Sequence, residues 1–269
     1  MRLGDGVAWS GRVIAWIGAG LFWGVQLSLS ILADVPLADS VFLALLFVAV
    51  PAMALAQLSM LRHAEVDRLS AYWGSIGTLW LLGTASWLVG SRTDGIAAIG
   101  LVALPPHELL GWSAGLTTAC FVVILGFREL AKTVGASERP LLRQLLPKSR
   151  RERRVFALLC VAAGVGEETA YRGYSVPVLA GLMGLPGAVA VTSGVFGILH
   201  GYQGVLGMLR TAMMGGILAM GFVLSGSLWP AIVAHTLVDL IAGIVLGERL
   251  LPPVPARPGA EVLHKELSS

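Results

Sequence analysis

The chain is short of charge: Asp, Glu, Lys and Arg make up 13% of its 269 residues, against about 25% in an average soluble domain. A water-facing surface wrapped around one core is thereby excluded. Cysteine is scarce too. Cys120 and Cys160 each stand inside an apolar run, without the paired spacing of a disulfide framework or a zinc ribbon, so both read as packing residues. The compact His-Glu-x-x-His zinc signature, an internal repeat and a lipidation motif at either end are also missing. The net charge of +3 is concentrated in one loop beside apolar runs, which excludes nucleic acid as a partner.

What the sequence does have is hydrophobic length. Apolar residues are 56% of the chain and the mean hydropathy is +0.79, the composition of an all-α polytopic membrane protein in contact with membrane lipid. Uncharged runs at 13–33, 40–61, 69–91 and 109–127 approach the roughly 20 residues that a spanning helix needs. Further helices at 155–183, 187–203, 208–224 and 228–247 make eight spans, the first pair divided at Gly184-Leu185-Pro186-Gly187. The run 95–104 is too short to cross and reads as a re-entrant or interfacial piece. The first apolar run is too long for a signal-peptide core and reads as a retained helix. Four regions follow: an N-terminal four-helix membrane region at 1–130, a basic loop at 131–154, helices bearing polar clusters at 155–247 and a flexible tail at 248–269.

The basic loop sets an expected orientation. Lys132, Arg139, Arg143, Lys148, Arg150, Arg151, Arg153 and Arg154 face only Glu138 and Glu152, while the turn at Asp34 and Asp39 has no basic residue. The loop is therefore expected in the cytoplasm. With eight spans, the N-terminus with Arg2 and Arg12 and the tail with Arg249, Arg257 and Lys265 fall on the same side. This suits a bacterial inner membrane. Trp9, Trp23, Trp87, Trp112 and Trp229 read as interfacial anchors, and His63, His107 and His264 as loop or tail residues without a special role.

Charge inside the apolar second half needs a reason, because an ionisable side chain at the centre of a membrane helix costs roughly 2.5–3.5 kcal/mol. Glu167, Glu168 and Arg172 fall together in Gly-Glu-Glu-Thr-Ala-Tyr-Arg-Gly. Glu168 and Arg172 are four apart and can pair on one helix face. Glu167 is turned about 100° from Glu168 and is left to face another helix or a cavity, which makes it the candidate general base. Phe196 and His200 are four apart in the next helix, as are His235 and Asp239 in the last. Asp239 can then accept from one imidazole nitrogen of His235 and fix its tautomer. At 1.5 Å per residue the three sites reach overlapping depths in a bilayer of about 30 Å.

Glu-Glu-x-x-x-Arg, then Phe-x-x-x-His, then His-x-x-x-Asp, in this order over about 155–247, resembles the CPBP family of CAAX proteases and bacteriocin-processing enzymes. The resemblance implies an eight-helix intramembrane endopeptidase acting on membrane-associated or prenylated CAAX-like peptides or lipidated proteins; its eukaryotic members remove the last three residues of prenylated proteins. It implies that Glu167 activates water with His200 beside it, that His235 and the residue at 239 stabilise the oxyanion, and that Glu168, Arg172 and Phe196 support the site. Position 239 is often Asn in that family, and an ionised Asp cannot donate a hydrogen bond as an amide does, so Asp239 suits orientation of His235 better. A metal-free glutamate mechanism is favoured. The alternative is Zn held by Glu167, His200 and His235 with an open position for water. A proton-coupled transporter and a non-catalytic immunity or scaffold protein of the same fold are the other function classes.

Overall fold

The computed structural model describes residues 3–61, 66–92, 95–135 and 140–250. Arg2, His63, Glu138, Arg139, Arg257, His264, Lys265 and the tail beyond 250 lie outside the described residues. The described residues form helices and turns without strands, as expected of a bilayer protein whose backbone polar groups must be satisfied within each segment.

Helix α1 (Leu3–Leu32) turns at Asp34, whose φ is 52°, into α2, which runs from Leu37–Ala44 through a π turn at Leu45–Ala49 to Val50–Leu61. Helix α3 (Arg68–Gly90) starts at Asp67, whose side chain accepts from the Ser70 amide. Helix α4 (Pro106–Thr133) has Pro106 in its first turn, where the missing N–H is one of the helix's orphans anyway. A short α5 (Pro140–Leu145) precedes α6 (Arg150–Glu167), which opens on a capping box between Ser149 and Glu152. Helix α6 widens into a π turn at Glu168–Ser175 and continues as α7 (Val176–Leu199). After a 3-10 turn at Gly201–Gln203 come α8 (Val205–Ser225) and α9 (Trp229–Leu240), the latter extended by a π turn at Ile241–Leu246.

Among the described residues six stretches are long and apolar enough to cross a membrane: Val13–Leu32, Leu37–Leu58, Pro106–Thr133, Arg150–Leu199, Val205–Ser225 and Trp229–Leu246. The chain is an integral membrane protein. The count differs from eight for two physical reasons. Arg150–Leu199 contains two of the expected spans in one helical path, broken at Gly184 (φ 76°, ψ 161°) just before Pro186, a conformation that glycine adopts without penalty. Helix α3 has the length, 23 residues, but Arg68, Ser70 and its small polar residues dilute its hydropathy. With the broken path counted as two limbs and α3 included, eight helical limbs remain.

The polarity of the fold is inverted relative to a soluble protein. Trp16, Leu32, Leu81 and Leu110 are more than 70% exposed, whereas Glu168 and Arg172 are fully buried. Trp23, Trp73, Trp80, Trp87 and Trp229 are also exposed, as lipid-facing and interfacial aromatics are. Glycine brings α3 onto α6: a Cβ added to Gly83 would lie 2.9 Å from the Cα of Gly166. At the end of the π turn away from the basic residues, Asp39 accepts from the Tyr174 hydroxyl at 2.9 Å and from Arg92 at 2.6 Å. The 95–104 run folds as a 3-10 turn, Gly95–Ile99, whose Ile99 is fully buried. It closes over the α8–α9 junction through Leu228 N–H to Gly100 O (2.7 Å) and Ser227 Oγ to Val102 O (2.6 Å).

Candidate active site

The site is built around the π turn. Pro177 follows it and has no N–H to return to the Gly173 carbonyl, and its ring would clash there in a regular helix; a widened turn relieves that conflict. The Ser175 hydroxyl donates to Ala170 O at 2.7 Å, across five residues. π turns are frequent at functional positions, and this one places all eight of its residues in the interior.

Glu168 is the hub. Its Oε1 accepts from Arg172 Nη1 at 3.0 Å and from His235 Nδ1–H at 2.8 Å. The i,i+4 pair expected from the sequence is therefore present, with side chains 1% and 0% exposed. The guanidinium of Arg172 also lies over the Phe196 ring, 4.2 Å from its centroid, a cation–π contact that is stronger away from water. Phe196 in turn lies tilted by 53° against His200, with ring centroids 4.8 Å apart, and meets His235 edge-on at 5.9 Å, so one aromatic ring spaces both imidazoles. His200 donates Nδ1–H to Phe196 O at 2.8 Å, which leaves Nε2 as an acceptor.

The second nitrogen of His235 faces two other carboxylates, Asp239 at 3.5 Å and Glu167 at 3.7 Å. Both gaps exceed a direct hydrogen bond. Glu167 Oε2 is buried and makes no hydrogen bond among the described residues, and His200, His235 and Asp239 all act on it electrostatically. Exposure grades from a closed floor at Glu168 to 18% at Glu167 and 38% at Asp239. Asp239 marks the mouth.

Residues 152–241 match the family model described as Type II CAAX prenyl endopeptidase Rce1-like. Over this third of its length the chain is similar to that family. The matched segment contains Glu167, Glu168, Arg172, Phe196, His200, His235 and Asp239, in agreement with the CPBP resemblance, and leaves α1 to α4 outside it. No curated protein and no solved structure matches the chain.

Geometry within the matched segment revises one expectation. The short partner of His235 is Glu168, not Asp239, because α9 packs its His235 face onto the π turn and buries it there, while Asp239 lies one turn further along at the cavity mouth. Sequence spacing exposed only the intrahelical partner of each residue, and no pattern in one helix shows a contact across sixty-seven positions. Among the described residues no group of three or more His, Cys, Asp or Glu side chains has an arrangement that could hold a metal ion. Glu167, His200 and His235 are thus not gathered as a metal-ligand group among the described residues.

Proposed function

We propose that this protein is an intramembrane endopeptidase that hydrolyses peptide bonds of membrane-associated, prenylated CAAX-like substrates by a metal-free mechanism in which Glu167 activates water. The observation that carries this reading is the division of labour between adjacent glutamates. Glu168 is engaged by Arg172 and His235, whereas Glu167 Oε2 has no hydrogen-bond partner and lies 3.7 Å from His235 Nε2.

In this mechanism Glu167 takes a proton from water held between its carboxylate and His200 Nε2, and the hydroxide oxygen bonds to the scissile carbonyl carbon. Protonated His235 keeps Nδ1–H on Glu168 and turns Nε2–H toward the developing oxyanion, where a preorganised donor is most effective. Collapse breaks the C–N bond, and the proton on Glu167 passes to the leaving amine. Asp239, a pure acceptor when ionised, offsets the charge of His235 at the mouth and does not donate to the oxyanion. The basic end, Lys148–Arg154, faces the cytoplasm of a bacterial inner membrane, so prenylated peptide enters from the lipid and cytoplasmic side.

The test is cleavage of a quenched prenylated peptide library in detergent by wild type and Glu167→Gln, with and without a strong chelator. Loss of about 10²–10⁴-fold in the variant, with no chelator effect, is expected. Loss on chelation with recovery on added zinc would overturn the metal-free mechanism. Equal cleavage by the two proteins would remove Glu167 from its role, and a disturbed proton flux without cleavage would point to a transporter.

A further inference from the structure

In the mechanism above the oxyanion receives one hydrogen bond from the protein, His235 Nε2–H, because an ionised Asp239 can only accept. Oxyanion holes are commonly built from more than one preorganised donor, and a second donor stands at the same cavity. After His200 ends α7, the chain closes a 3-10 turn at Gly201–Gln203. Gln203 N–H donates to His200 O at 2.9 Å and Gly204 N–H to Gly201 O at 3.1 Å. The turn carries Tyr202 back beside the catalytic histidine, with the two rings 5.8 Å apart and tilted by 37°. Tyr202 is half-buried. Asp239 and Glu167 both act on its phenol electrostatically, so it stands near the carboxylates of the cavity mouth.

The neighbours of the phenol determine which of its hydrogen-bonding capacities is left over. Arg210 has donors only, and its Nη2 donates to Gln203 Oε1 at 2.8 Å, which fixes the orientation of that amide. Gln203 Nε2 therefore faces Tyr202 and donates to its hydroxyl oxygen at 3.2 Å. The oxygen is occupied as an acceptor, while the O–H donates to no group among the described residues. Room for the Gln203 side chain comes from Gly207, where a Cβ would overlap it. We propose that Tyr202 is a catalytic residue whose O–H donates a second hydrogen bond, alongside His235, to the oxyanion of the tetrahedral intermediate. The proposal deepens the peptidase reading above and rests on it for the reaction. The phenol keeps its proton throughout: its hydrogen bond strengthens as negative charge gathers on the carbonyl oxygen and weakens again when the C–N bond breaks. Gln203, held by Arg210, aims the hydroxyl in advance, so little reorganisation is needed at the moment of reaction.

The test uses Tyr202→Phe, which keeps the ring beside His200 and deletes only the hydroxyl. Cleavage of a fluorescent prenylated peptide in detergent gives kcat and KM for wild type and variant. In the Glu167→Gln protein, with and without Tyr202→Phe, anisotropy gives the affinity for that peptide and for an analogue whose scissile amide is replaced by a phosphinate, a stable tetrahedral oxyanion. Loss of one oxyanion donor should lower kcat by about 10²–10³-fold, with KM and the melting temperature unchanged. The preference of the Glu167→Gln protein for phosphinate over peptide should shrink by about 10- to 100-fold when Tyr202→Phe is added, the range for a hydrogen bond to a charged group. Equal kcat in wild type and Tyr202→Phe overturns the role of Tyr202 and leaves the peptidase reading standing. So does a fall in kcat matched by losses of peptide affinity and melting temperature, which is what a merely structural tyrosine would give. If the wild type cuts nothing, a phosphinate preference that vanishes with Tyr202→Phe would keep the donor and overturn the peptidase reading, and a phosphinate bound no tighter than the peptide would overturn both.

Discussion

Replacing Glu168 by Leu tests the hub on which the site is built. The carboxylate is fully buried and neutralises Arg172, itself 1% exposed, while accepting the Nδ1–H of His235. Removing one member of a buried pair leaves an uncompensated charge, at a cost of about 3–5 kcal/mol. At about 2–4 °C per kcal/mol for a chain of this size, thermal unfolding in detergent should fall by roughly 6–20 °C. The double substitution Glu168→Leu with Arg172→Met removes both charges, and the same principle makes it close to neutral, so its unfolding temperature should return to within a few degrees of wild type. Activity should not return, because His235 has still lost the acceptor that orients it; a loss of about 10²–10⁴-fold is expected in both proteins. The cycle therefore separates stability from catalysis. If the single variant unfolds within a degree or two of wild type, Glu168 is not the counter-charge of Arg172; if the double variant regains cleavage, Glu168 is not the holder of His235.

Other expectations concern the frame around the hub. In Gly164→Ala the new methyl would overlap Thr236 Oγ1 and lie 2.9 Å from Ile232 O; overpacking of about 1–3 kcal/mol should lower the unfolding temperature and displace His235, so that peptide cleavage falls more than stability does. Tyr174→Phe deletes the 2.9 Å bond to Asp39 that ties α2 to the π turn and should cost about 1 kcal/mol, read in the same melting assay. Hydrogen bonds from the Ser70 hydroxyl and amide hold the Asp67 carboxyl below its usual value. Its contribution to the start of α3 is therefore complete above about pH 4 and is lost as pH falls through the lowered value; amide exchange protection at Ser70 should show that loss, and Asp67→Asn should not.

Much of this was legible in the residues. Glu168 and Arg172 at i,i+4 pair as their spacing required, and Glu167, one position earlier, points elsewhere because a helix turns about 100° per residue. Phe196 and His200 are neighbours for the same reason. The glycine break before Pro186 also falls where the dipeptide chemistry puts it. The hub role of Glu168 was not legible, since Asp239 offered His235 an equally good spacing within its own helix. Nor was the π turn, which arises when Pro177 must be accommodated next to Gly173 against the buried Ile99 turn.

By itself, the sequence determined the membrane class, the helical content and the set of polar residues, because hydropathy and periodicity act locally and a bilayer leaves a buried charge few options. Tertiary structure alone decided which carboxylate holds His235, which remains available to a water, and that Tyr202, Gln203 and Arg210 line up beside His200. Those outcomes depend on distances between helices far apart in the chain, fixed by glycine contacts such as Gly83 on Gly166, and differences of less than 1 Å separate a hydrogen bond at 2.8 Å from an open approach at 3.5 Å.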